Sequence, residues 1–241
     1  MTSVCIASAA WRRLDVTRLV LRQRQRLCVE LAARGIHATL LVAADDENLD
    51  IAAEHGAETL QVPNLPLGRK CNQMLHRAAE IADWVVWVGS DDWIHPDSFD
   101  PLDGRDRPIS IIHGQRLVIV DLATGELQRV TAPSTYGAIP WLLDSRLIRG
   151  KSGDPIRADL GSGLDGALIR GLRRTRTPLV FEEHDPHEFR CVDFKSIDNL
   201  SSFHGLAANK GYGESGMAWD ELAGWFPDDL IAQARALSQS P

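Results

Sequence analysis

The hydrophobic pattern of this chain follows one rule up to about residue 100 and another beyond it. In the first part, short unbroken apolar runs alternate with longer stretches in which apolar residues recur every three or four positions. That is the mark of buried strands alternating with amphipathic helices. Ser3 to Ala7 is the first run. Val16, Leu19, Val20, Leu27, Cys28 and Leu31 then recur at helical spacing over Val16 to Arg34, with Gly35 as the stop. Ile36 to Ala44 predicts a second strand, Leu49 to His55 a short helix closed by Gly56, and Glu58 to Val62 a third strand. After Pro63-Asn64-Leu65-Pro66, a helix from about Gly68 to Ala82 carries Cys71, Met74, Leu75, Ala78 and Ile81 on one face. Trp84 to Val88 is apolar throughout and ends at Asp91 and Asp92. This βαβαβαβ order predicts a mostly parallel sheet layered between helices.

Beyond Pro96 the pattern favours strands. Ile109 to His113 and Arg116 to Leu122 read as strands, and Ala123-Thr124-Gly125 turns the latter into Glu126 to Val130 as a hairpin. A helix from Gly166 to Arg174, strands at Pro178 to Glu182 and Phe189 to Phe194, and a C-terminal amphipathic segment follow. No long linker, repeat or low-complexity tract divides the sequence. The expected fold class is therefore α/β, a layered and mostly parallel sheet flanked by helices with an antiparallel addition in the second half. Residues 1–241 are expected to form a single domain.

A chain of 241 residues with 44% hydrophobic content can bury one full core. No apolar run approaches a membrane span. Arg12 and Arg13 follow rather than precede the apolar start, which argues against a secretory signal. Cys5, Cys28, Cys71 and Cys191 form no Cys-x-x-Cys pair, so the expectation is reduced thiols and a cytoplasmic location. The formal charge of -7 excludes a general nucleic-acid coat. A local basic face is still allowed, because Arg146, Arg149, Lys151, Arg157, Arg170, Arg173, Arg174 and Arg176 crowd the second half. Asp144, Asp154, Asp159 and Asp165 are interleaved with them, so a solvated, balanced surface is the simpler reading.

The chemistry concentrates at strand ends. In open α/β sheets, ligands bind beyond the carboxyl ends of the strands. Asp91 and Asp92 lie at such an end, and adjacent carboxylates repel unless a cation or strong donor intervenes, which suits Mg²⁺ or Mn²⁺. The competing reading is a turn or helix cap, for which Asp is also preferred. Asp45 and Asp46 end the second strand in the same way. Arg69 and Lys70 open a helix, where cations are unfavourable unless an anion lies nearby.

These motifs, in this order, resemble the family-two-like glycosyltransferases of the GT-A fold, which transfer sugars from nucleotide diphosphates. Val42-Ala43-Ala44-Asp45-Asp46 resembles the strand whose terminal acid contacts the nucleoside. Leu67-Gly68-Arg69-Lys70-Cys71-Asn72-Gln73 resembles the helix start that lies against the donor, and Val88-Gly89-Ser90-Asp91-Asp92-Trp93 resembles the D-x-D metal motif. Leu164-Asp165-Gly166 resembles the Glu-Asp signature, whose Asp is the catalytic base. The sequence departs from the family in two places: Gly89 stands where the first D-x-D acid would be, and Leu164 replaces the Glu. The resemblance implies donor contacts from Asp45, Asp46, Arg69, Lys70 and Asn72, and a Mn²⁺ or Mg²⁺ ion on Asp91 and Asp92 with His204. It also implies Asp165 as base and inversion at the transferred sugar. Residues 1–100 would be the nucleotide-sugar half and residues 101–241 the acceptor half. Asp198-Asn199-Leu200-Ser201-Ser202 resembles tails of phage-type glycosyltransferases, some of which modify bases in DNA, so a DNA base is one acceptor to consider.

Three other motifs compete. Gly161-Ser162-Gly163-Leu164-Asp165-Gly166 matches the G-x-G-x-x-G of NAD-type oxidoreductases, although Pro155 to Leu160 is a poor buried strand to precede it. Gly150-Lys151-Ser152 fails as a P-loop because Ser145 stands where the first glycine should be. His184 and His187 have zinc-like spacing but no third ligand nearby. A nucleotide-sugar-binding module without turnover is the remaining alternative.

Overall fold

A computed structural model describes residues 2–102, 110–114, 116–131, 138–150, 153–173, 180–183, 191–196 and 214–239. The first part alternates strictly: β1 (Thr2–Ala9), α1 (Leu14–Ala33), β2 (Ile36–Ala44), α2 (Asn48–Glu54), β3 (Glu58–Gln61), α3 (Leu67–Ile81) and β4 (Trp84–Trp87). Next come β5 (Asp92–Ile94), a 3-10 turn over Pro96–Leu102, β6 (Ser110–Gly114), β7 (Arg116–Asp121), β8 (Leu127–Thr131) and β9 (Ala138–Asp144). The described chain is completed by α4 (Ser145–Arg149), α5 (Leu164–Arg173), β10 (Val180–Glu183), β11 (Cys191–Lys195), β12 (Glu214–Met217), a 3-10 turn over Trp219–Leu222, and α6 (Asp228–Ser238).

Seven strands form the main sheet in the order β10-β6-β9-β4-β1-β2-β3. β4, β1, β2 and β3 run parallel, and β9 lies antiparallel between β4 and β6. Both faces are covered, which is why the strands read as continuous apolar runs. Cys5, Ala7, Leu41, Val85, Trp87 and Trp141 face one layer of core with α3, α4 and α5. The alternate positions Val4, Ile6, Leu40, Val42, Trp84 and Val86 face the other, with α1 and α2.

The addition in the second half is a second sheet in the order β12-β8-β7-β11-β5, antiparallel except between β7 and β11, which run parallel. Trp93, Val118, Val120, Val192 and Phe194 pack there against Phe226, Leu230 and Ile231 near the C-terminus, and against Val16, Leu19 and Val20 of α1. Helix α1 therefore serves both sheets. Among the described residues, no helix is long and apolar enough to cross a membrane.

The sequence pattern did not predict β9. Pro140 sits inside Ala138–Asp144, and proline within an apolar run argues against a strand. The register between β6 and β9 shifts between His113 and Gly114, opposite the stretch that contains Pro140, and such an irregularity tolerates a residue without an N–H. Residues 153–163 contain no strand, so the glycine motif at Gly161, Gly163 and Gly166 follows irregular chain instead of a strand. That removes the structural basis of the NAD reading.

One further packing detail bears on the site. The segment Pro155–Leu160 lies directly on two glycines. A Cβ on Gly68 of α3 would fall 2.2 Å from the Arg157 carbonyl oxygen, and one on Gly171 of α5 would fall 1.7 Å from that of Pro155. Asn72 Nδ2 donates to the Ile156 carbonyl at 2.7 Å, and the Ile156 N–H donates to Asn72 Oδ1 at 3.0 Å. Gly68 N–H adds a bond to the Leu160 carbonyl at 2.8 Å. The segment that leads into α5 is thus fixed against the start of α3 and the last turn of α5.

Candidate functional site

The chain leaves the main sheet at Val88, whose N–H still bonds the Ala7 carbonyl, and joins the second sheet at Asp92. Gly89, Ser90 and Asp91 make the crossing. In the second sheet β5 pairs antiparallel with β11, which sets Asp193 directly opposite Asp92, and the Phe194 N–H donates to the Asp91 carbonyl at 2.9 Å. Asp91, Asp92 and Asp193 are therefore brought together by the junction of two sheets. Each offers an oxygen within 4.8 Å of the others, and all three are buried. Two full charges at that separation repel by roughly 3–4 kcal/mol at an effective dielectric of about 20, so the cluster requires compensation.

Three cations supply part of it. Arg13 Nη1 donates to Asp91 Oδ2 at 2.7 Å and Arg13 Nη2 to Ser90 Oγ at 3.1 Å. Lys195 Nζ pairs with Asp193 Oδ2 at 2.6 Å. Arg24 is only 1% exposed and lies behind the turn, where Nη2 donates to the carbonyls of Gly89 and Asp92, and Nη1 to Ser8 Oγ. Burial lowers the Arg24 guanidinium to about 10 against the pull of Asp92. Burial also pushes the Asp92 carboxyl well above the usual range, and the charges of Asp193 and Asp91 push it further. Asp193 rises to about 6, again through burial first, even though Lys195 opposes the shift. Burial would lower the Lys195 ammonium, but Asp193 and Asp91 outweigh it and hold it above its ordinary value.

Gly89 now has a physical reason. Its N–H donates to Asp92 Oδ2 at 2.6 Å, and a Cβ there would fall 2.5 Å from that oxygen and 2.6 Å from Asp91 Oδ1. A side chain at the first D-x-D position would collide with both carboxylates, so this departure from the motif is what gives them room.

The three acids border a cavity of about 370 Å³, within the range of small-molecule sites. Ala9, Leu67, Cys71 and Trp87 also line it, with Lys195 and with Ser162, Gly163 and Leu164. Asp165 is the second residue of α5, immediately after Leu164. His204 lies outside the described residues, as do His184, His187, Lys151, Arg174, Arg176 and the Asp198–Ser202 stretch.

The other acidic doublet has different surroundings. Asp45 is exposed, and its Oδ2 accepts from the Asn64 N–H at 2.7 Å. Asp46 Oδ2 accepts from the Arg12 N–H at 2.8 Å, while its Oδ1 accepts from the Asn48 N–H at 3.0 Å and Nδ2 at 2.7 Å. Burial would raise Asp46, but these donors outweigh it and hold the carboxyl below its ordinary value. Arg12 and Arg13 both adopt left-handed backbone, at φ 55 and φ 49. Such a conformation costs roughly 1–2 kcal/mol per non-glycine residue, which a charge-assisted bond of about 1.5–3 kcal/mol from Asp46 can offset. Asn48 Nδ2 also donates to the Arg12 carbonyl at 3.1 Å. The doublet after β2 thereby aims Arg13 at the doublet after β4.

Lys70 is buried on α3, with Nζ donating to the Ala10 carbonyl at 2.6 Å and to Asn64 Oδ1 at 3.0 Å. Arg69 is exposed on the first turn of the same helix. Asn72 faces the Ile156 backbone with both ends of its amide. Of the crowded cations of the second half, Arg146 pairs with Asp144, Arg157 with Asp159, and Arg149 donates to the carbonyls of Ala79 and Ala82.

Sequence reasoning missed Asp193, Lys195, Arg13 and Arg24. Three of these carry a readable signal: Asp193 and Lys195 stand two apart in an otherwise apolar strand and so share a face. Arg24 lies between Val20 and Leu27 on the buried stripe of α1, where a charge requires partners.

No protein-family model matches this sequence, and no curated protein does. Solved structures do. S. aureus TarS 1-349 superposes with a TM-score of 0.55 at 13% identity, over 80% of this chain and 60% of that one. The catalytic domain of Drosophila beta1,4galactosyltransferase 7, in complex with xylobiose, superposes with a TM-score of 0.52 at 10% identity, over 93% of this chain and 80% of that one. This chain has a GT-A glycosyltransferase fold. A mutant of the same Drosophila enzyme, in complex with manganese, UDP-Gal and xylobiose, superposes equally well, with a TM-score of 0.52 at 12% identity. The chain spans three fifths of the TarS fragment it matches.

Proposed function

We propose that this protein is a metal-dependent glycosyltransferase that moves a sugar from a nucleotide diphosphate to an acceptor hydroxyl. The observation that carries the reading is the three-carboxylate cluster at the sheet junction, open to a cavity bordered by the start of α5. Its donor set is all oxygen, which suits Mg²⁺ or Mn²⁺. Asp92 Oδ1 and Asp193 Oδ1 are buried without a hydrogen-bond partner, as oxygens reserved for a cation would be. Asp91, Asp92 and Asp193 would hold the ion, with His204 as a further candidate ligand from the sequence. The manganese and UDP-Gal in the complex of the Drosophila enzyme support a uridine diphosphate donor for this fold.

When bound, the ion would stabilise negative charge on the departing diphosphate. The chain's own residues do the rest. Asp45, Asp46, Arg69 and Lys70 would contact the donor beyond the β1 and β2 ends, where residues 1–100 would receive the nucleoside. Asn72 would act at one remove, by fixing residues 155–160, which lead into the Ser162–Leu164 lining of the cavity. Asp165, at the positive end of the α5 dipole, would be kept ionised and would take the acceptor's proton as its oxygen attacks the anomeric carbon. Attack from the face opposite the leaving group gives inversion. Residues 101–241 would shape the acceptor side. An acceptor within DNA draws little support from the second-half cations, since Arg146, Arg149 and Arg157 are engaged within the chain.

The test is a screen of nucleotide sugars with Mn²⁺, followed by turnover of the Asp165→Asn variant with the best donor. A general base contributes typically about 10² to 10⁴ in rate, so Asp165→Asn should lose turnover on that scale while donor affinity and melting temperature hold. Asn caps a helix as well as Asp, so full activity in that variant would reduce Asp165 to a cap. Stabilisation by NAD, and by no nucleotide diphosphate, would overturn the reading itself.

A further inference from the structure

Two of the three carboxylates already hold a side-chain cation, Asp91 with Arg13 and Asp193 with Lys195. We infer that Arg13 and Lys195 are exchangeable counter-ions: they hold the metal-site carboxylates until a donor arrives, then transfer to its diphosphate, so that cation and nucleotide bind as a coupled pair. This rests on the reading of the site given above and adds the way in which it fills.

The argument is one of charge and position. A divalent ion that takes Asp91 and Asp193, the latter through its unpartnered Oδ1, competes for carboxylate charge with a guanidinium and an ammonium whose side chains are 15% and 8% exposed. Left there without partners, the two cations would be poorly solvated and would repel the incoming ion. A diphosphate arriving with the ion supplies the anionic oxygens they lack, and a forked guanidinium matches phosphate well. Lys195 lines the cavity itself, and Arg13 reaches Asp91 on the cavity wall.

Arg24 shows the contrast. It is buried behind the turn and donates to the carbonyls of Gly89 and Asp92 and to Ser8 Oγ. It grips backbone and a hydroxyl instead of the carboxylates, so it stays when the ligand binds. The left-handed Arg12-Arg13 turn, pinned by Asp46 and Asn48, is the second sign, because strained backbone persists where surrounding contacts hold a side chain in a working position.

The consequence is reciprocal coupling, since whatever factor uridine diphosphate adds to Mn²⁺ affinity, Mn²⁺ must add to uridine diphosphate affinity. Titrating the full chain with Mn²⁺ alone, by calorimetry or by the free-ion electron spin resonance signal, should show weak binding. Uridine diphosphate should tighten it on the order of 10-fold or more. Arg13→Met and Lys195→Met should each bind Mn²⁺ alone more tightly than wild type, and should lose most of the gain from uridine diphosphate. Arg13→Lys keeps a charge and should restore part of the coupling, and a native melting temperature in either Arg13 variant establishes that the comparison is between folded proteins. Unchanged or weaker Mn²⁺ binding in both Arg13→Met and Lys195→Met, with wild-type coupling retained, would overturn the exchange while leaving the donor site standing. Wild-type protein that binds no Mn²⁺ even with uridine diphosphate would overturn the site and the exchange together.

Discussion

Two strands of the main sheet end in a pair of adjacent aspartates, and the pairs meet opposite fates. Asp45 and Asp46, after β2, sit at the surface and accept backbone N–H groups from Asn64, Arg12 and Asn48, so the Asp46 carboxyl is held low. Asp91 and Asp92, after β4, are carried into the junction between two sheets, where a third carboxylate faces them and Asp92 is driven up. The first pair is satisfied by backbone donors of its own loop and of the loops after β1 and β3. The second is held together against repulsion, an arrangement that adds nothing to stability and gains its purpose from a ligand. Two acids at a strand end therefore indicate a metal site only when the surrounding fold withholds their partners.

The largest expected effect comes from closing the gap beside the second pair. Gly89→Ala would place a methyl about 2.5 Å from Asp92 Oδ2 and close to Asp91 Oδ1. Overpacking of this kind costs about 1–3 kcal/mol and displaces both carboxylates, so Mn²⁺-dependent nucleotide binding should disappear and the melting temperature should fall. An alanine variant that binds normally would mean that the two acids are not used together.

A smaller effect is expected at the first pair. Asp46→Asn puts an amide NH₂ where one of two accepting oxygens stood, beside the donors of Arg12 and Asn48, and should cost about 1–2 kcal/mol in chemical denaturation. Donor affinity should weaken as well, because the Arg12-Arg13 turn loses its anchor. If stability is untouched, the left-handed turn has some other support.

The acid dependence of that cost is the smallest and most specific effect. Because the folded-state pKa of Asp46 is depressed, its contribution is fully present above the unfolded value of about 3.9 and is lost as pH falls through the lower folded value. The stability gap between wild type and Asp46→Asn, read from urea melts, should therefore shrink between pH 5 and pH 2 to 3. A constant gap would show that shape, and not charge, sets the cost.

The same contrast explains how far the sequence could be read. Periodicity gave the alternation from β1 to β4 because β1, β2 and β4 are buried on both faces and the helices on one, so burial is written directly into residue type. It missed β9, where Pro140 stands in an apolar run and is tolerated only because the ladder shifts there. Of the candidate site, Asp91 and Asp92 were visible because two charges end a buried strand. Asp193, Lys195, Arg13 and Arg24 come from β11, the loop after β1, and α1, and only the pairing of β5 with β11 and the seat of α1 against both sheets bring them together. Gly89 was read as a missing ligand; the structure gives it a steric role that no single-sequence pattern expresses.

The central claim is that one divalent ion joins the two sheets through three carboxylates and holds a nucleotide diphosphate there. Asp193→Asn tests it most directly, because this residue joins the site only through the fold. Calorimetric titration of uridine diphosphate with and without Mn²⁺ is the measurement. Wild type should bind in a Mn²⁺-dependent manner, and Asp193→Asn should lose that dependence while remaining folded by circular dichroism. Undiminished Mn²⁺-dependent binding in the Asn variant would contradict the three-carboxylate site.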